Sequence, residues 1–217
     1  MDKSWMEPAR KAWKFFWHDE SVWSFLANVI IAFLIIRFIF YPLLGLALGT
    51  NFPIVAVVSE SMEHGLHEKK LCGEYFARFR ESFDNYWAVC GKWYEEQGIT
   101  PQKFASFPFK DGFDKGDVIL LWRAHRDNVE VGDILVFQGD KPQPIIHRVV
   151  KVWQEEERYY YQTKGDHNSG SIQGTFGETK IGEDRIYGKG ILRIPYFGWV
   201  KILFVNAVKP LGIDIQR

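Results

Sequence analysis

Cysteine is scarce in this 217-residue chain: Cys72 and Cys90 are the full complement. Two thiols are too few to build a disulfide scaffold, which excludes the small cross-linked secreted classes. Net charge is missing as well, with 27 basic against 27 acidic residues and a formal charge of +0. Without a basic surplus there is no electrostatic footprint for nucleic acid, and that class of partner is set aside. Long apolar runs are absent everywhere but near the N-terminus. The C-terminal run Ile202–Val205 is too short to span a bilayer.

What is present begins with Val22–Thr50, an apolar stretch whose one charge is Arg37. A spanning helix needs about 20 apolar residues, so neither side of Arg37 suffices alone. Set toward the outer leaflet, Arg37 can snorkel to the headgroups. Pro42 is expected to bend or end the helix soon after. A cleaved signal peptide, with a site near Ala47-Leu48-Gly49, is the rival reading. The run is longer than a signal h-region and follows a 20-residue preface, which favours one retained transmembrane anchor. Lys3, Arg10, Lys11 and Lys14 interleave with Trp5, Trp13 and Trp17 ahead of it. They suit either a short interfacial helix or a ragged cytosolic tail, and their charge favours an N-terminus in the cytoplasm with the rest outside.

Beyond the anchor the pattern is mainly β, with an insertion. Gly116-Asp117 opens Val118–Trp122 and Gly132-Asp133 opens Ile134–Phe137. Ile145–Trp153, Arg158–Thr163 and Ile186–Pro195 follow, separated by turns. Asp117 and Asp133 read as structural turn residues. Between His64 and Lys110 the pattern predicts helices over Glu74–Arg80 and Trp87–Glu96, closed by Gly98 and Pro101. The organisation is then 1–21 cytoplasmic segment, 22–50 anchor, 51–65 and 113–195 β domain, 66–112 helical insertion. Residues 196–217 form a C-terminal amphipathic segment returning to the membrane.

Three residues carry candidate chemistry. Ser61 follows the apolar run Val55–Val58, where a strand end can expose its hydroxyl. A serine hydroxyl is a weak nucleophile without a base. His147 supplies one: strand alternation sets it on a face with Ile145, Val149 and Trp153, half-buried and suited to general-base work. Asp166 stands in the turn Lys164-Gly165-Asp166-His167-Asn168 as the third member. Ser59 and Met62 flank the nucleophile as oxyanion and substrate-binding candidates, the Ser59 hydroxyl aiding the Ser61 N–H. His64, His67 and His125 lie in hydrophilic segments expected to be exposed. His64, His67, Cys72 and Cys90 could instead hold zinc, but the spacing fits no standard pattern, and no metal or cofactor is expected. A Cys72–Cys90 disulfide and free thiols stay open as alternatives.

These segments resemble signal peptidase I of the archaeal and endoplasmic-reticulum type. The matching pieces are the membrane span, Val57-Val58-Ser59-Glu60-Ser61-Met62-Glu63, Lys115-Gly116-Asp117-Val118, Gly132-Asp133-Ile134, Ile145-Ile146-His147-Arg148-Val149-Val150, Thr163-Lys164-Gly165-Asp166 and Gly188-Lys189. The resemblance implies an antiparallel β catalytic domain on one N-terminal anchor, cleaving signal peptides from exported preproteins. It implies Ser61 as nucleophile, His147 as base where bacterial relatives carry lysine, and Asp166 as the acid. Signal peptides, the lipid membrane and possible accessory subunits are the implied partners. His167 departs from the family's Asn. Ile172 stands where many relatives have a second Asp, so Asp166 leads as the carboxylate that orients His147, with Glu178 and Asp184 in reserve. A non-catalytic anchored β ectodomain that binds peptides or partner subunits, or another membrane serine peptidase of the same fold, is the alternative.

Overall fold

The computed structural model describes residues 6–140, 142–175, 177–199 and 203. It divides into two compact units, Met1–Ala47 and Leu48–Arg217. The expected C-terminal segment 196–217 lies outside the described residues apart from its first turn and Leu203.

The first unit is helical. Helix α1 (Met6–His18) precedes α2 (Val22–Ile35), whose N-cap Ser21 accepts a hydrogen bond from the Ser24 N–H. A π-helical turn (Ile36–Phe40) leads without a break into α3 (Tyr41–Leu48). Pro42 therefore does not end the helix. Its missing N–H is accommodated by the π turn, where the Tyr41 N–H reaches back to the Ile36 carbonyl. The joined helix Val22–Leu48 has 27 residues and is long and apolar enough to cross a membrane by length and composition. At about 1.5 Å per residue it exceeds the roughly 30 Å hydrocarbon core. Ser24 and Asn28 have partners in α1: the Ser24 hydroxyl donates to the Phe15 carbonyl and the Asn28 amide to that of Phe16. These are C-terminal carbonyls of α1 that its own ladder leaves open.

The second unit is built on one seven-stranded antiparallel sheet. Its strands are β1 (Ile54–Ala56), β4 (Val118–Trp122), β5 (Ile134–Phe137), β6 (Ile145–Glu155), β7 (Arg158–Lys164), β8 (Ile181–Gly182) and β9 (Ile186–Ile194). They lie in the order β1-β4-β9-β5-β6-β7-β8. Register shifts at Leu120/Leu121, Val136/Phe137 and Val149/Lys151 are bulges of the kind that bend a sheet. Central β5 is buried on both faces. Ile134 and Val136 join one core with Val57, Met62, Phe113 and Ile119, while Leu135 and Phe137 join another with Val149, Tyr161 and Ile181. The period of two in a strand divides the core this way.

The insertion carries its own core. Helix α4 (Phe83–Glu96) is capped by Ser82 and α5 (Pro101–Ala105) by Thr100. Tyr86, Cys90, Tyr94, Phe104 and Phe107 pack with Leu71, and with Val150 of β6. The expected helix over Glu74–Arg80 is absent. A two-stranded ribbon, β2 (Lys70–Leu71) with β3 (Glu74–Tyr75), turns through Cys72 and Gly73, and residues 76–82 are irregular. Cys72 and Gly73 both have positive φ, 50° and 88°, which no helix accommodates. Cys72 is bonded to Cys90 with Cα atoms 5.6 Å apart. That bond uses both sulfurs and overturns the zinc arrangement.

Gly132 opens β5 at φ +107°, and a Cβ there would lie 2.2 Å from the Phe107 ring. Gly132→Ala is expected to cost about 1–3 kcal/mol from backbone strain and overlap. Thermal unfolding in detergent should show a midpoint several degrees lower.

Candidate active site

The nucleophile candidate sits on a turn, not at a strand end. Strand pairing continues past β1 to Val57, whose N–H donates to the Asp117 carbonyl at 2.8 Å and whose carbonyl accepts from Gly116 at 2.9 Å. A tight turn then closes with the Glu63 N–H donating to the Glu60 carbonyl, leaving Ser61 and Met62 at its centre. Met62 is fully buried in the core and anchors the turn; Ser61 is half-buried. Ser59 is exposed, and its Oγ lies 3.1 Å from Ser61 Oγ. Lys115 ties the turn down from outside. Its Nζ pairs with Glu60 at 2.6 Å and its N–H donates to Glu63.

His147 and Arg148 are neighbours on β6 and point to opposite faces. The sheet register carries this division to β7, where Val149 pairs with Thr163 and Arg148 with Lys164. On the first face, His147 Nδ1 is hydrogen-bonded to Glu178 Oε2. Both oxygens of that carboxylate are engaged: the Thr163 hydroxyl donates to Oε2 at 3.0 Å, and the Ile172 N–H to Oε1 at 2.7 Å. Glu178 is wholly buried and His147 nearly so. A carboxylate on Nδ1 favours the tautomer that leaves Nε2 free to accept a proton.

The second face holds Asp166. Arg148 donates to it from Nε at 2.9 Å and from Nη2 at 2.7 Å, His64 Nε2 lies 2.9 Å from Oδ2, and the Tyr94 hydroxyl donates to Oδ1 at 2.8 Å. The rest of the guanidinium donates to the carbonyls of Pro108, Phe109 and Gly132. Burial by itself would raise the Asp166 carboxyl. The adjoining Arg148 charge and the His64 hydrogen bond outweigh it and hold the group far below the usual carboxylate range. Lys164 is buried beside it, donating to the carbonyls of Gly165 and Asp166, and desolvation brings its amine down to about 8.

The two faces meet at Gly165. A Cβ added there would lie 2.7 Å from His147 Nε2 and 2.7 Å from the Ser61 carbonyl oxygen, so the two atoms are within twice that distance. Only a residue without a side chain lets the backbone pass between them. The next residues secure the contact: the His167 N–H donates to the Ser61 carbonyl at 2.9 Å, and the Asp166 N–H points at Met62 Sδ. The structure thus brings Ser61, Ser59 and His147 into one neighbourhood and places Glu178 on the imidazole. Asp166 bonds to other partners. Asp184 lies exposed on the 3-10 turn Glu183–Arg185. His64, expected to be exposed, is half-buried and stacked on Tyr86 with ring centroids 3.7 Å apart.

An accepting imidazole nitrogen on a buried carboxylate, beside a serine on a tight turn, is an arrangement suited to acyl transfer. No family profile matches the chain. Individual proteins do. The signal peptidase complex catalytic subunit SEC11 of Colletotrichum graminicola is 34% identical over 95 residues, covering 42% of this chain and 55% of that protein. The SEC11 of Eremothecium gossypii is 35% identical over 96 residues, covering 42% and 57%. Human SEC11C, another signal peptidase complex catalytic subunit, is 30% identical over 101 residues, covering 45% and 53%. The chain spans about half the length of these curated relatives, which are fungal and mammalian.

Asp166→Asn should leave the Arg148 charge buried without its counter-ion and cost about 3–5 kcal/mol. The folded carboxyl titrates below its ordinary value of 3.8, so the unfolded chain takes up the proton first. Stability that Asp166 contributes is therefore present above pH 4 and lost as pH falls below it. Denaturant titrations across that range should show the loss in the parent chain and a flatter profile in the variant.

Proposed function

We propose that the chain is a membrane-anchored serine endopeptidase that removes signal peptides from preproteins, with Ser61 as nucleophile, His147 as general base and Glu178 as the carboxylate that orients it. The observation that carries this reading is the convergence of the Ser61 turn and His147 Nε2 at Gly165, with Nδ1 taken by Glu178. The likeness to signal peptidase catalytic subunits supports the substrate class proposed here. The apolar helix Val22–Leu48 is the proposed anchor, and the cations ahead of it support an orientation with the N-terminus in the cytoplasm and the β domain outside.

In this mechanism a signal-peptide end lies extended against a strand edge, and small pockets admit Ala-like side chains. Nε2 takes the Ser61 proton as the hydroxyl oxygen attacks the scissile carbonyl, and the Ser61 N–H with the Ser59 hydroxyl steadies the oxyanion. The imidazolium formed is stabilised by Glu178 and returns its proton to the leaving amine. Water, deprotonated by the same ring, then hydrolyses the acyl-enzyme. Ser61 Oγ bonds to Ser59 before substrate arrives. Catalytic hydrogen bonds commonly tighten only in the bound complex. Asp166 is a structural ion-pair partner in this scheme. Membrane anchoring confines enzyme and preprotein to one plane, and accessory subunits are proposed from the relatives' description as subunits of a complex.

The test is preprotein cleavage in proteoliposomes. Ser61→Ala and His147→Ala should each abolish processing with the fold intact. Glu178→Gln keeps shape but donates to the wrong tautomer, and turnover should fall by about 10²–10⁴-fold. Normal turnover in Glu178→Gln, with loss in a stably folded Asp166→Asn, would transfer the orienting role to Asp166.

A further inference from the structure

The insertion 66–112 has no part in the chemistry just described, yet two of its fully buried side chains, Tyr86 and Tyr94, donate to the loop that contacts both Ser61 and His147. Tyr86, Cys90 and Tyr94 recur every four residues along α4 and form one buried stripe. Each member reaches that loop. The Tyr86 hydroxyl donates to the Asp166 carbonyl at 2.9 Å and the Tyr94 hydroxyl to Asp166 Oδ1 at 2.8 Å. Cys90 is bonded to Cys72, whose N–H donates to the His167 carbonyl at 3.0 Å and whose Sγ lies 3.3 Å from the Asp166 carbonyl oxygen. From its other side the loop presents the His167 N–H to Ser61 and the Gly165 backbone to His147.

We propose that the insertion is a latch on the catalytic loop 165–168: Tyr86 and Tyr94 are positioning residues, and the Cys72–Cys90 bond is the pin that keeps them seated. This rests on the peptidase reading for its effect on turnover, and on geometry alone for its effect on the loop. The pin joins the β2–β3 ribbon to α4, so the loop is gripped by both parts of the insertion at once. A cavity of about 240 Å³ beside the sulfurs, lined by Lys92, Trp93, Lys164, Asn168 and Ser169, admits a small dithiol. Its thiolate attacks one sulfur and breaks the S–S bond, and its second thiol resolves the mixed disulfide. Cys72 and Cys90 end as thiols, and the reagent, having supplied two electrons and two protons, ends as its own disulfide. Released from Cys90, Cys72 and the ribbon no longer hold His167, and the Ser61 turn loses its fixed distance from the imidazole.

The experiment treats the full chain in proteoliposomes with dithiothreitol and follows preprotein cleavage and amide hydrogen exchange together. Displacements near 1 Å at a catalytic centre cost up to about 100-fold, and a loosened loop should lower kcat by about tenfold with KM within about twofold. Exchange at the amides of 166–168 should accelerate while β5 and β6 keep their protection. Tyr94→Phe, which removes one grip and no sulfur, should give a smaller fall in kcat with the same exchange signature. Unchanged exchange at 166–168 after complete reduction overturns the latch, as does unchanged kcat in a chain that cleaves. If the untreated chain cleaves nothing, the peptidase reading fails, and the exchange data alone decide the latch.

Discussion

The site depends on one constraint: where strand pairing is regular, neighbouring residues face opposite ways. His147 and Arg148 are adjacent on β6, and the alternation sends the imidazole to one face of the sheet and the guanidinium to the other. Each then recruits its own carboxylate. Glu178 is built onto His147 with Thr163 and the Ile172 backbone holding its oxygens, and Asp166 is built onto Arg148 with His64 and Tyr94. A buried acid left without a cation or donor is costly. Separation by the strand gives each a complete set of partners.

Arg148 in turn sets the frame around the site. A guanidinium has five donors in a rigid fork, and here they reach Asp166, the carbonyls of Pro108 and Phe109, and that of Gly132. It therefore joins the end of the insertion, the entry to β5 and the loop after β7 at one buried point, with the Phe104 ring 4.8 Å from its Cζ. The loop residues that follow, Gly165 to His167, inherit their position from this junction, and through them the Ser61 turn inherits its own. Ile172 contributes its backbone N–H to Glu178.

Much of the architecture was legible in the residues. Val118–Trp122 and Ile134–Phe137 form strands with the bounds their apolar runs predict, because a Gly-Asp turn opens each and a buried β-branched run has few alternatives. Helix α4 ends before Gly98 as its pattern implies. Reading failed where the deciding partner is distant in sequence. Glu74–Arg80 has helical composition, but Cys72 is tied to Cys90, 18 residues away, and the segment follows that bond rather than its own propensity. Pro42 reads as a bend or a stop, and the helix does not stop because the π turn before it absorbs the missing donor. His64 looked solvated, and the stacking surface of Tyr86 that covers it lies on α4.

By itself the sequence determined the long N-terminal helix, the main strands of the β domain, and the three motifs in which Ser61, His147 and Asp166 stand. Those follow from local period and turn chemistry, which each segment carries within itself. The face beyond Val149 it did not determine, since the bulge at Val149/Lys151 puts Val152 rather than Trp153 beside Val149. Only the tertiary structure decided which acid meets the imidazole. Glu178 lies 31 residues beyond His147, and no local signal distinguishes it from Asp166. Partnership between side chains on different elements is settled by which face of the sheet each reaches, and that geometry exists only once the strands have paired.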